Sequence, residues 1–243
     1  MQWYEATSKK LKAGHRYSHQ ELIRLLKSDY PQLRDSSYHW AVCGMLKSGV
    51  LTKVARNVYV VQNEREKPVY RPAYSALAKK LIEQISEKYP SVDFTVFETA
   101  LMNNFLNHLV AQNTVFIQVE KYVSVFVFRF LQELSYEHLL YKPKKADYAL
   151  YWEKDCIVVT DMISEAPLSA TTPHEICLEK MLVDMYCDIL ISSAYSRSEY
   201  PEVLKQAMEI YHIEPAKMMR YARRRGKEHE LKKILEEIED AEA

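Results

Sequence analysis

At 243 residues, with 33 Lys and Arg against 33 Asp and Glu, the chain is long enough to bury a real core and reads as one small domain plus one of ordinary size. Its zero net charge hides an asymmetry, since residues 1–72 carry 13 basic and 6 acidic side chains and the remainder carries 20 and 27. No apolar run reaches the roughly 18 residues that span a bilayer, and four scattered cysteines without a CxxC pair or metal-ligand rhythm read as thiols of a reducing cytoplasm.

The opening residues, MQWYEATSKKLKAG, are expected to form a short amphipathic helix and not a secretory signal. Residues 15–61 then follow the plan of a winged helix-turn-helix: two short helices and a two-stranded wing. Ser18, three residues before Glu21, is a capping-box signature. Leu22, Ile23, Leu25 and Leu26 supply one buried face until Tyr30-Pro31 ends the helix. Asp35 or Ser36 can cap the next helix, where Tyr38, Val42, Met45 and Leu46 form a core-facing stripe, and Gly49 stands in the place of a C-cap. Val50–Ala55 and Val58–Val61 are β-branched strands around an Arg56-Asn57 turn.

Opposite the core stripe lie Ser36, Trp40, Cys43 and Lys47, with Ser37 and His39 nearby. Such a helix is narrow enough for a DNA major groove. Ser36 and Ser37 read as phosphate or base contacts or as plain helix caps, and Lys47 as a phosphate contact. His39, Trp40 and Lys53 are further DNA candidates, although a tryptophan also packs readily against the first helix or the wing. Arg56, at the wing tip, is placed for a minor groove or a phosphate. The basic amino-terminal region agrees with these assignments.

Gln62–Pro72 reads as a linker, which puts the domains at 1–72 and 73–243. Beyond it, Tyr74–Tyr89 is an amphipathic helix, Asp93–Phe97 a short strand and Thr99–Leu109 a returning helix. Thr114–Glu120 is the clearest strand, Val123–Leu134 a helix apolar on nearly all sides and hence buried, and Cys156–Met162 another strand. From Pro173, at an N1 position after Thr171-Thr172, the periodicity is helical to the end, with Ile176, Leu178, Met181, Leu182 and Met185 buried. The expected class is α/β (α+β): a winged helix, then a mixed domain closed by a carboxy-terminal helical bundle.

Motifs for catalysis are missing. The four glycines (Gly14, Gly44, Gly49, Gly226) cannot build a phosphate loop, a dinucleotide turn or a nucleophile elbow. His174-Glu175 begins an HExxH string, but position 178 is Leu. A nuclease strand would need Glu-x-Lys, whereas Glu120-Lys121 are adjacent, which points Lys121 to the opposite strand face. No metal or cofactor is expected. In LEKMLVD, Lys180 and Asp184 are four apart and form a local helix salt bridge, while Glu179 and Asp184 do not share a face. Ser164-Glu165 can cap or brace a neighbouring helix. The cluster Arg220, Arg223, Arg224, Arg225 and Lys227 is a second DNA surface, a seat for an acidic partner, or a solvated face balanced by the acidic tail Glu236–Glu242.

The string IVVTDMISEAPLSATTPHEICLEKMLVDMYCD (157–188), with VFIQVEKYVSVFVF at 115–128 and RYARRRGKEHELKKIL at 220–235, resembles an uncharacterised bacterial family related to AbiE-type antitoxins. Asn57 departs from that family's glycine in the wing turn, but Asn tolerates positive φ. The resemblance implies an antitoxin of an abortive-infection, type IV toxin–antitoxin system. Its winged helix would bind double-stranded DNA repeats in its own promoter, and its second domain would counter a nucleotidyltransferase-like toxin. Ser164, Glu165, Glu179, Lys180, Asp184, Arg223 and Arg224 would then form a partner-binding or structural signature. The alternatives are a nuclease-like enzyme targeted by the winged helix, and an interaction module that never touches DNA.

Overall fold

The computed structural model describes residues 3–12, 15–47, 50–61, 67–151, 155–169 and 172–242. The chain divides into two units, Met1–Val69 with Met208–His212, and Tyr70–Ala207 with Ile213–Ala243. The proposed C-cap at Gly49, the residue Thr171 and most of the linker around 62–66 lie outside the described residues.

In the first unit, α1 (Glu5–Lys10) precedes β1 (Arg16–Ser18), α2 (His19–Asp29), α3 (Asp35–Lys47), β2 (Leu51–Ala55) and β3 (Val58–Val61). The capping box forms as the spacing requires: Ser18 Oγ accepts from the Glu21 amide at 3.2 Å and Glu21 Oε2 accepts from the Ser18 amide at 2.7 Å. Such a cap is worth about 1 kcal/mol. Leu22 and Leu26 of α2 meet Tyr38, Ala41, Val42 and Met45 of α3, with Tyr4, Leu11, Leu51 and Tyr59 closing the core. Leu25, expected inside, is exposed, because α2 turns only one narrow stripe inward. The Tyr38 hydroxyl donates to the Tyr30 carbonyl at 2.6 Å, which satisfies an orphan group at the end of α2.

The sheet of this unit has the order β1-β3-β2, antiparallel throughout. Arg56-Asn57 forms the turn between β2 and β3, and Asn57 takes the positive φ of 60° that Asn tolerates. Strand β1 has too few residues to show an alternation and exists through its pairing with β3.

In the second unit, α4 (Ala76–Lys88) leads to β4 (Phe94–Glu98), a 3-10 turn (Thr99–Asn104), β5 (Thr114–Val119), α5 (Ser124–Glu133), β6 (Leu139–Tyr141), α6 (Lys145–Tyr151) and β7 (Cys156–Asp161). Helices α7 (Leu178–Cys187), α8 (Tyr200–Ile210, whose end from Met208 is counted with the first unit), α9 (Pro215–Arg224) and α10 (Glu228–Glu242) follow. The sheet order is β4-β5-β7-β6, with β4 antiparallel to β5, and β7 parallel to both β5 and β6. All six residues of β5 are buried, Thr114 and Gln118 among them, in keeping with its mostly apolar character.

Four expectations are corrected here. The helix expected over Thr99–Leu109 is only the 3-10 turn ending at Asn104. Helix α5 buries one side only, through Ser124, Val127 and Leu131, and Phe126 is 53% exposed. Both β6 and α6 were unforeseen, being short and without a clean period. Helix α7 begins at Leu178 and not at Pro173, because the preceding residues serve the sheet. The Val96 amide donates to the His174 carbonyl at 3.0 Å, and the Tyr74 hydroxyl donates to the Val96 carbonyl and accepts from the Ile176 amide at 3.0 Å. His174 takes a positive φ of 68°, which a helix forbids. No helix among the described residues is long and apolar enough to cross a membrane.

Candidate nucleic-acid interface and partner region

Burying Tyr38, Ala41, Val42 and Met45 on one side of α3 obliges the opposite side to face solvent. Ser36, His39, Trp40, Cys43 and Lys47 are all exposed there, and Ser37 is half-buried. Asp35 starts the helix and its carboxylate pairs with Lys27 at 2.8 Å. Trp40 is 59% exposed and touches Tyr4 edge-on at 6.0 Å, so it packs partly, against the amino-terminal segment. Lys53 on β2 and Arg56 in the turn are exposed. Lys47, Lys53 and Arg56 are in no ion pair with another described residue.

In the second unit the LEKMLVD residues are not a surface motif. Lys180 and Asp184 do form the expected i,i+4 ion pair, but both side chains are 0% exposed. Lys180 Nζ donates to Gln118 Oε1 of β5 and to Asp184 Oδ2. Asp184 Oδ1 accepts from the Tyr221 hydroxyl at 2.8 Å and from Arg225 Nη1 at 3.0 Å. Burial, then the negative charge of Asp184, raises the Tyr221 phenol far above its ordinary range. Glu179 faces elsewhere: it accepts from the Glu214 amide at 3.1 Å and pairs with Lys217 at 3.4 Å. Helix α7 therefore grips α9 at both ends. A surface pair would contribute a few tenths of a kcal/mol, whereas breaking a buried one costs about 3–5 kcal/mol. Buried in this way, Glu179, Lys180 and Asp184 hold the fold and offer no surface to a partner.

The arginine cluster is also largely spent within the unit. Arg223 grips Glu228 with two bonds of 2.7 Å, Arg225 takes Asp184 and lies 3.8 Å from Asp188, and Lys227 meets Glu230 at 2.5 Å. Arg224 donates to Ser164 Oγ, at 2.7 Å through Nε, and lies 4.0 Å from Glu165, so the Ser164-Glu165 turn braces α9. Of the acidic tail, Glu236 and Glu237 pair with Lys232 and Lys233 of their own helix.

A crevice of about 620 Å³ opens beyond the carboxyl ends of the parallel strands β5 and β7, where α/β sheets commonly take ligands. Asp93, Glu120, Lys121, Asp161, Ser164 and Arg224 contribute its polar lining. Asp161 Oδ1 accepts from Ser124 at 2.5 Å and pairs with Lys142 at 2.7 Å. Burial pushes the Asp161 carboxyl up, but the bonds from Lys142 and Ser124 and the charges of Lys142 and Lys121 outweigh it, leaving it below the usual range. β5 ends at Val119, so Glu120 and Lys121 lie past the strand and both line the crevice, contrary to the expectation from strand alternation. No three His, Cys, Asp or Glu side chains among the described residues converge as a metal centre.

No curated protein matches the chain. From residue 37 to residue 241, a span running from α3 through α10, it matches the model of DUF6577, a family of unknown function, and it belongs to that family.

Proposed function

We propose that the chain is a duplex-DNA-binding regulator whose first unit works as a winged helix. In this reading α3 enters the major groove with Ser36, His39 and Trp40 toward the bases, Lys47 and Lys53 hold phosphates, and Arg56 on the β2–β3 turn reaches the flanking groove or backbone. The observation that carries the reading is the exposed, polar and aromatic face of α3, with Lys47, Lys53 and Arg56 in the same unit pairing with no carboxylate among the described residues. By its resemblance to AbiE-type antitoxins, the protein would act in the cytoplasm on its own promoter, and the second unit would meet a nucleotidyltransferase-like toxin. Electrophoretic mobility or fluorescence anisotropy with the protein's own upstream DNA and with random duplex tests the reading. Tighter binding to the upstream DNA, falling steeply with salt, supports it. Equal and weak binding to every duplex counts against a specific regulator.

A second reading, a nucleic-acid-processing enzyme, is favoured by the crevice alone, which Glu120, Lys121, Asp93 and Asp161 line together. Robust cleavage or nucleotide transfer with magnesium or manganese, abolished by Glu120→Ala, would put this reading first.

A further inference from the structure

Two histidines far apart in sequence meet between α2 and α3. His19 Nε2 lies 2.8 Å from His39 Nδ1, and the two ring planes are only 17° apart. One nitrogen of such a pair carries the proton, since two N–H groups would repel and two lone pairs would not bond. A third residue decides which nitrogen it is. The Tyr59 hydroxyl lies 3.3 Å from His19 Nδ1, its only hydrogen-bond partner among the described residues, and Tyr59 is 6% exposed. A phenol O–H shut away from water needs an acceptor, so Tyr59 donates and His19 Nδ1 accepts. A neutral imidazole has one donor and one acceptor, so His19 carries its own proton on Nε2 and donates it to His39 Nδ1. By the same rule His39 holds its proton on Nε2. That ring is exposed and its Nε2 bonds to no described residue, while Asp35, one turn earlier on α3, is held by Lys27 at 2.8 Å.

We propose that the Tyr59–His19–His39 chain of hydrogen bonds fixes His39 as a donor that reads guanine in the major groove, with Tyr59 and His19 as positioning residues. This rests on the regulator reading, in which α3 lies in that groove. Guanine presents two neighbouring acceptors there, N7 and O6. Adenine sets its N6 donor beside N7, cytosine shows the N4 donor, and thymine has the single acceptor O4 beside a methyl group. A fixed Nε2–H therefore bonds to the guanine edge without meeting a second donor. The opposite tautomer would present a lone pair and favour the amino groups of adenine and cytosine. An isolated neutral imidazole can take either form, so the relay selects one base by satisfying it and the others by leaving donors opposed.

Two measurements on the full chain test this. Nitrogen-15 spectra of histidine-labelled protein without DNA, at mildly alkaline pH where imidazoles are neutral, read the tautomers. His19 and His39 should both hold the proton on Nε2, and Tyr59→Phe should let both rings populate the Nδ1–H form. His19→Ala, at a half-buried position, should free His39 in the same way if the tyrosine variant folds poorly. A His39 proton on Nδ1 in the parent would overturn the relay, as would a His39 tautomer unmoved by both substitutions. The second measurement selects sites from a randomised duplex pool. Sites taken by the parent should contain a guanine whose replacement by 7-deazaguanine weakens binding about two- to tenfold, the range of one net hydrogen bond. His39→Ala, an exposed substitution, should be indifferent to that replacement. Selected sites in which no guanine responds in this way would overturn the base-reading role. A parent that selects no sequence from the pool would overturn the regulator reading together with that role, whereas the spectra decide the relay without DNA.

Discussion

The hydroxyl end of Tyr4 abuts Gly44 of α3, so that a Cβ added at position 44 would stand 2.8 Å from its Cζ and closer still to its hydroxyl. A glycine in a helix interior ordinarily costs about 1 kcal/mol relative to alanine. Here it admits the amino-terminal segment to the core, where Tyr4 is buried and Trp3 packs edge-on against Tyr30 at 5.1 Å.

Gly44→Ala should therefore destabilise the first unit, by about 1–3 kcal/mol of overpacking, despite its better helix propensity. Urea denaturation checks this. A raised midpoint would show that the tyrosine moves aside without cost.

The buried ion pair makes a different prediction. Asp184→Ala alone should cost about 3–5 kcal/mol, because it leaves the Lys180 charge at a fully buried position without a carboxylate, and Lys180→Met should cost less, because Asp184 keeps Arg225. Lys180→Met combined with Asp184→Leu should recover part of that loss. A double-mutant cycle with no coupling would show that solvent reaches the pair.

Asp161 sets an acid limit. Its folded-state carboxyl is depressed, so the unfolded chain takes up its proton first, and the stability it contributes is present above the unfolded value. That contribution is lost as pH falls through the depressed folded value. The stability gap between the parent and Asp161→Asn should be full near neutral pH and close on acidification below about pH 4. A gap that stayed constant into acid would assign the effect to packing and not to charge.

For DNA binding, Lys47→Ala and Arg56→Ala should each weaken affinity across sequences and flatten the salt slope by about one unit. Thermal midpoints should move little, since exposed substitutions change stability by under about 0.5 kcal/mol. Unchanged affinity in both variants would move the search for a DNA surface away from α3 and the β2–β3 turn.

The features legible in the sequence are those made by neighbours in the chain. The Ser18–Glu21 capping box, the Asn57 turn, the Tyr38–Val42–Met45 stripe and the apolar strands β5 and β7 all depend on contacts within a few residues or on one element's period. Periodicity measures such local demands directly. What tertiary structure decided involves partners distant in sequence. The sheet edge at Val96 claims His174 and so delays α7 to Leu178, overriding Pro173 as a helix start. The Lys180–Asp184 spacing was visible, but only Gln118, Tyr221 and Arg225 closing around it turn a weak surface pair into a buried anchor. Nothing local to His39 indicates that His19, twenty residues earlier, stacks against it and shares a hydrogen bond with it. Burial and long-range pairing depend on how the whole chain closes on itself, and a window of neighbouring residues carries no record of that closure.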